Sequence, residues 1–167
     1  LFMGYYNPVL NYGIDRYARD CAAAGIDGFI IPDLPINEAE PFRAATRVHG
    51  LALVPLLAPT STEERISAGA ESAEGFIYCV SVAGVTGARN SLPETLPTFV
   101  SRIRANTELP IAVGFGVTEL SHVVAIGQVA DAAVVGSALI NVIDSAPAEE
   151  RASRAAEFIV SLVGNRA

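Results

Sequence analysis

Two stretches decide the fold: Pro110-Ile111-Ala112-Val113-Gly114-Phe115-Gly116 and Ala132-Ala133-Val134-Val135-Gly136-Ser137-Ala138. Each opens as a short apolar run and closes on glycine, the pattern of a buried strand that stops at a strand-to-helix turn. Glycine there lets backbone N–H groups approach an anion, and the dipole of a following helix favours negative charge. Two such turns on successive strand–helix units describe the phosphate site of a (β/α)8 barrel, built from the loops after its last two strands. The turns Gly114-Phe115-Gly116 and Gly136-Ser137-Ala138 are therefore candidates for anion contact, with ordinary turn geometry as the plainer alternative for each glycine.

The same alternation runs back through the chain. Leu1 to Tyr6 is apolar and β-prone, and Ile14, Tyr17, Ala18, Cys21 and Ala22 form a helical stripe ended by Gly25. Gly28-Phe29-Ile30-Ile31 reads as a buried strand stopping at Pro32-Asp33-Leu34-Pro35, followed by a helix with Pro41 in its first turn and Gly50 at its close. Leu51 to Leu57 is the next strand. Ser61 and Glu64 have capping-box spacing at the start of another helix. Gly75 to Ser81 is a strand, and a long loop with Ala83-Gly84-Val85-Thr86-Gly87 precedes a helix marked by Leu96, Phe99, Val100 and Ile103. Between the two glycine-ended strands, Leu120, Val123 and Val124 share a helical face. Ala152, Ala155, Ala156, Ile159 and Val163 mark a terminal helix.

Near-continuous apolar strands alternating with helices imply a parallel sheet covered on both faces, with right-handed crossovers. The expectation is an α/β TIM (β/α)8 barrel that is incomplete here, with six of about eight units, forming a single partial domain over residues 1–167. Open edges are expected at Leu1–Tyr6 and Ala132–Val135.

Composition narrows the function. A net charge of −7 and a pI near 4.7 leave no basic stripe for nucleic acid. A small phosphorylated ligand held by backbone amides remains compatible with that charge. Cys21 and Cys79 lack metal-ligand spacing and suit a reducing cytoplasm. No apolar run approaches the roughly 20 residues of a membrane helix.

Asp33 is the one carboxylate at the C-terminal end of a strand, the rim where barrel active sites are built, and a helix-cap or turn role is its plainer reading. Tyr78 shares a strand face with Phe76 and Val80. It points into the barrel if Phe76 does, as ligand contact or as core packing. Cys79, on the opposite face, should meet the helices. The loop carrying Thr86 is long enough to be functional. His49, His122 and the Glu63-Glu64 pair read as helix-terminal residues, and no metal site or covalent nucleophile is visible.

The ordered set Tyr5-Tyr6-Asn7-Pro8, Pro32-Asp33-Leu34-Pro35, Ala83-Gly84-Val85-Thr86-Gly87-Ala88, Gly114-Phe115-Gly116 and Gly136-Ser137-Ala138 resembles the tryptophan synthase alpha chain family. The likeness runs the whole length, and the Gly-Val-Thr-Gly loop with Pro-Asp-Leu-Pro is its most specific part. It corresponds to the family's third strand through its last helix. The resemblance implies a lyase, the retro-aldol cleavage of indole-3-glycerol phosphate to indole and glyceraldehyde 3-phosphate in tryptophan biosynthesis. It further implies that Gly87, Gly116, Gly136 and Ser137 contact phosphate, and that Phe115, Tyr78 and Tyr5 line the pocket. Thr86 and Asp33 support catalysis by that likeness, and Asn7, Pro8 and Pro35 face a partner. That partner is a beta chain in an αββα assembly, and it carries any pyridoxal phosphate, since this chain has no lysine for a Schiff base. The family's catalytic Glu and Asp lie in the two units outside this sequence, so the 167 residues alone are expected to be inactive. Two other readings stay open: a different phosphate-binding barrel enzyme, such as a sugar-phosphate isomerase, and a non-catalytic partner of a beta chain.

Overall fold

A computed structural model describes residues 1–80, 94–114 and 116–164. In chain order the elements are β1 (Phe2–Met3), α1 (Tyr6–Tyr12), α2 (Ile14–Ala23), β2 (Gly28–Ile30), a single 3-10 turn (Ile36–Glu38), α3 (Glu40–Val48), β3 (Ala52–Val54) and β4 (Leu56–Leu57). They continue as α4 (Glu63–Ser72), β5 (Ile77–Val80), α5 (Leu96–Arg104), β6 (Ile111–Gly114), α6 (Leu120–Ile126), β7 (Ala132–Ala133), α7 (Ser137–Ser145) and α8 (Arg151–Val163).

Every strand pairing is parallel and every neighbour is sequential, β1-β2-β3 and then β4-β5-β6-β7. The two ladders meet at Pro55. Val54 pairs back with Ile30, Leu56 pairs forward with Tyr78, and the Pro55 carbonyl accepts the Tyr78 N–H at 3.0 Å. Proline has no N–H for a ladder, so the run Leu51 to Leu57 divides into two short strands that hand the sheet onward. Sequential parallel strands with helical crossovers are the wall of a (β/α) barrel. The expected edges are present among the described residues, with β1 and β7 each paired on one side.

Alternation along β5 sorts inside from outside. Ile77 and Cys79 are buried with Ile66 of α4 and Phe99, Val100 and Ile103 of α5, while Tyr78 faces the other way. A second cluster joins Ala18, Phe29, Phe42 and Leu53, where the Phe29 and Phe42 rings lie 5.2 Å apart. Each fully buried Phe or Ile contributes about 1.5–3 kcal/mol of transfer free energy. Gly25 and Gly50 stand just past α2 and α3 in the left-handed region that closes a helix. Pro41 occupies the first turn of α3.

Several local expectations shift. The first strand is only Phe2–Met3, because Tyr6 already begins a helix whose first N–H is taken by Asp33. Asn7 and Pro8 therefore lie in the first turn of α1 rather than in a loop; Pro8 is tolerated where no intrahelical N–H is needed. Thr62, not Ser61, caps α4: its Oγ1 accepts the Arg65 N–H at 3.3 Å, while Ser61 Oγ accepts the Ala58 N–H in the preceding turn. On α6 the buried pair is His122 and Ile126, while Leu120 and Val124 are exposed. On α8 the inward line is Ala155, Phe158 and Leu162, and Ile159 and Val163 are exposed. Both helices are apolar on more than one side, so periodicity alone does not choose the face that packs.

Candidate functional site

Parallel pairing carries the C-terminal ends of all strands to one rim, so the turns that follow them converge. β6 and β7 bring the two glycine turns together. Ala112 pairs with Ala132, Val113 pairs with Ala133, and the Val113 carbonyl accepts the Val134 N–H at 2.8 Å. The two strands that end in the glycine turns are thus neighbours, and Gly114 and Val134 leave the sheet side by side.

The three glycines differ in what surrounds them. A Cβ at Gly114 would stand 2.6 Å from the Tyr78 hydroxyl, so the tyrosine ring lies directly across this glycine. A Cβ at Gly116 or Gly136 would meet nothing within 4 Å among the described residues. Gly116 has φ +66°, a left-handed conformation that favours glycine, and Gly136 is the residue before α7. The first intrahelical bonds of α7 run from Leu139 and Ile140 to the Gly136 carbonyl, which leaves the Ser137 and Ala138 N–H groups ahead of the helix's own acceptors. Open space over backbone donors is what an anion requires. By contrast, α6 starts only at Leu120, so Gly116 offers a turn and not a helix terminus.

Tyr78 is half-buried, and loss of solvent raises its phenol above the ordinary value, keeping it a neutral hydrogen-bond donor. Cys79, one residue on, is fully buried and its thiol is pushed up to about 12. It faces the helices, as alternation requires. Tyr5 precedes α1 and is exposed.

Asp33 Oδ1 accepts the Tyr6 N–H at 2.8 Å. The carboxylate of one strand-to-helix loop thus caps the helix of the preceding unit, whose own N-cap, Tyr5, supplies no side-chain bond. A cavity of about 170 Å³ lies under the Pro32–Pro35 turn, bounded by Ile31, Arg43 and Pro55, and none of the glycine turns borders it. Pro35 stands immediately before the 3-10 turn. Thr86, Gly87 and Phe115 lie outside the described residues.

Two features of the rim were not anticipated from sequence. The Gly114–Tyr78 contact links two strands, and its only sequence signal is a glycine inside the last turn of an apolar run. His122, discounted above, is buried and its ring reaches back to Thr118 beside the Gly116 turn. Among the described residues there is no helix long and apolar enough to cross a membrane, and no group of three or more His, Cys, Asp or Glu that could hold a metal.

Residues 1–164 match the family described as tryptophan synthase alpha chain. The tryptophan synthase alpha chain of Roseiflexus sp. (strain RS-1) is 54% identical over 162 residues, covering 97% of this chain and 62% of that protein. The tryptophan synthase a2b2 complex from Pyrococcus furiosus superimposes with a TM-score of 0.88 at 34% identity, covering 97% of this chain and 65% of its own. Tryptophan synthase of Mycobacterium tuberculosis superimposes with a TM-score of 0.84 at 41% identity, covering 97% and 62%. The chain thus spans less than two thirds of the length of these relatives.

Proposed function

The chain belongs to the tryptophan synthase alpha chain family, and on that premise we propose that it forms the substrate-holding part of a lyase acting on indole-3-glycerol phosphate. The reaction breaks the bond between indole C3 and the glycerol phosphate side chain, releasing indole and glyceraldehyde 3-phosphate. It needs a proton delivered to C3, a proton taken from the side-chain hydroxyl, and the phosphate held still. The acid–base pair is assigned to residues outside this sequence. The phosphate is assigned to the backbone N–H groups of Gly87, Gly116, Gly136 and Ser137, and the indole to a pocket bordered by Tyr5, Tyr78 and Phe115. Thr86 and Asp33 take supporting roles, Asp33 by fixing the start of α1 beneath Tyr5.

The observation that carries this reading is the pairing of the two strands that end in glycine turns, with open space over Gly116 and Gly136 among the described residues. An acidic chain with no lysine gains phosphate affinity from such backbone donors without a basic patch. Asn7, Pro8 and Pro35 form the proposed contact with a beta chain, which would carry the pyridoxal phosphate and complete an αββα assembly in the cytoplasm.

Gly136→Asp is the test. The backbone there has φ −118° and ψ −91°, away from the left-handed region that favours glycine, and a Cβ meets nothing among the described residues, so a side chain can be placed without a clash with them. Its carboxylate would stand in the anion's space, where two like charges ~4 Å apart repel by about 4 kcal/mol at an effective dielectric of ~20. Calorimetric titration with glycerol 3-phosphate should show binding lost in Gly136→Asp and kept in Arg154→Ala on the outer face of α8. Unchanged affinity in Gly136→Asp would overturn the site assignment.

A further inference from the structure

We propose that His122 is a positioning residue for phosphate: its imidazole holds the turn Gly116–Thr118 in the shape that presents the turn's N–H groups. The inference rests on the phosphate reading of Gly116 given above. The ring is 5% exposed, in the first turn of α6. Its Nδ1 accepts the Thr118 backbone N–H at 3.3 Å and lies 3.3 Å from Thr118 Oγ1. That acceptor role assigns the neutral ring's proton to Nε2. Nε2 is itself buried with no hydrogen-bond partner among the described residues, and the nearest carboxylate oxygen, Glu119 Oε1, is 3.6 Å away.

A buried N–H without a partner is costly, and a leucine or phenylalanine at this place would avoid the cost. What the imidazole does that an apolar side chain cannot is bond the turn. The turn needs holding. Gly116 sits at φ +66° with nothing packed over it among the described residues, and the next residue, Val117, is anchored in the core at 2% exposure. Thr118 is the point where the backbone leaves that anchor, and His122 ties it to the helix that follows. The side chain thus does what a glutamate or glutamine does in a capping box, reaching back from the first turn to an N–H upstream, here one residue beyond the N-cap Glu119.

The experiment uses 15N NMR on the full chain, titrated with inorganic phosphate. In the unmodified protein the imidazole should show the tautomer protonated at Nε2, and the Gly116 and Gly136 amides should shift together on titration. His122→Leu should weaken binding by about three- to tenfold, the equivalent of one hydrogen bond's worth of turn order. It should also uncouple Gly116 from Gly136, whose amide keeps responding. His122→Gln, which retains an acceptor, should restore binding; a merely structural loss of packing would not be rescued this way. Proton occupancy at Nδ1 in the unmodified protein overturns the proposal without any variant. Undiminished affinity in His122→Leu also overturns it, and if Gly136→Asp still abolishes binding the phosphate reading stands. Failure of both glycine amides to respond in the unmodified protein removes the phosphate reading and this inference with it.

Discussion

Gly114→Ala should damage ligand binding far more than stability, and the reason is the ring lying on it. The new Cβ would stand 2.6, 2.9 and 3.1 Å from the Tyr78 hydroxyl, Cε2 and Cζ. Carbon contacts prefer about 3.5–4.0 Å, so the outer half of the ring must retreat by roughly 1 Å. The backbones cannot separate cheaply, because Tyr78 is paired with Leu56 on one side and Ala112 on the other. The displacement therefore falls on the torsions of the half-buried side chain, at about 0.5–1.5 kcal/mol. Urea denaturation should show a loss near 1 kcal/mol. A 1 Å misplacement of a positioning group, by contrast, costs up to about 10²-fold. Affinity for an indole-bearing phosphate should fall by at least tenfold, and affinity for inorganic phosphate much less. Combining Gly114→Ala with Tyr78→Ala should be clearly non-additive, since the second change removes the atoms the first collides with. Additive losses, or undiminished indole-ligand affinity in Gly114→Ala, would refute the assignment of Tyr78 to the inner face beside the site.

Other consequences are local. Glu74 accepts the Leu53 N–H at 2.9 Å and pairs with Arg47 at 2.7 Å, supplying a bond the sheet does not make there; Glu74→Ala should cost about 1–3 kcal/mol in chemical denaturation. The Asp131 carboxyl is held below its ordinary value first by the Arg104 hydrogen bond and then by the Ile111 N–H. Its contribution is therefore full above the unfolded value near 3.8 and lost as pH falls through the lower folded value, so Asp131→Asn should flatten the acid limb of the stability curve below about pH 4. Burial raises both cysteine thiols, Cys79 to about 12, so a thiol reagent at pH 8 should label neither in the native protein and both in denaturant.

Strand order and helix placement were legible because they depend on apolar runs and on glycine and proline, whose effects are local. Gly25, Gly50 and Pro41 each did what backbone stereochemistry requires at a helix end or start. What was hidden depended on partners far along the chain. The start of α1 is set by an Asp33 carboxylate 27 residues away, so Leu1–Tyr6 reads as one β-prone run although Tyr6 is already helical. At Pro55 the missing N–H that breaks the run is visible in the chain, but which neighbour each half of the strand pairs with is not carried by single-sequence periodicity. For α6 and α8, apolar residues occur on several sides, and the inward face is settled by the sheet and by helix neighbours.

The rim illustrates the same division at the level of chemistry. The glycine turns announce themselves because backbone exposure is a property of glycine itself. Which glycine serves a ligand and which serves the fold is a property of the space around it. Gly114 and Gly116 are two residues apart in one motif, yet among the described residues the first is filled by Tyr78 and the second stands open with a left-handed backbone. A side chain placed at the first collides with protein; one placed at the second meets backbone strain and then empty space. The motif therefore has two jobs, one seating the tyrosine against β6 and the other leaving N–H groups uncovered. The groups proposed to keep it in that state, Val117 in the core and His122 bonded to Thr118, are ordinary core and helix residues by sequence. Only the fold turns them toward the turn, which is why the proposed donors stand out in the chain as glycines and the residues proposed to support them do not.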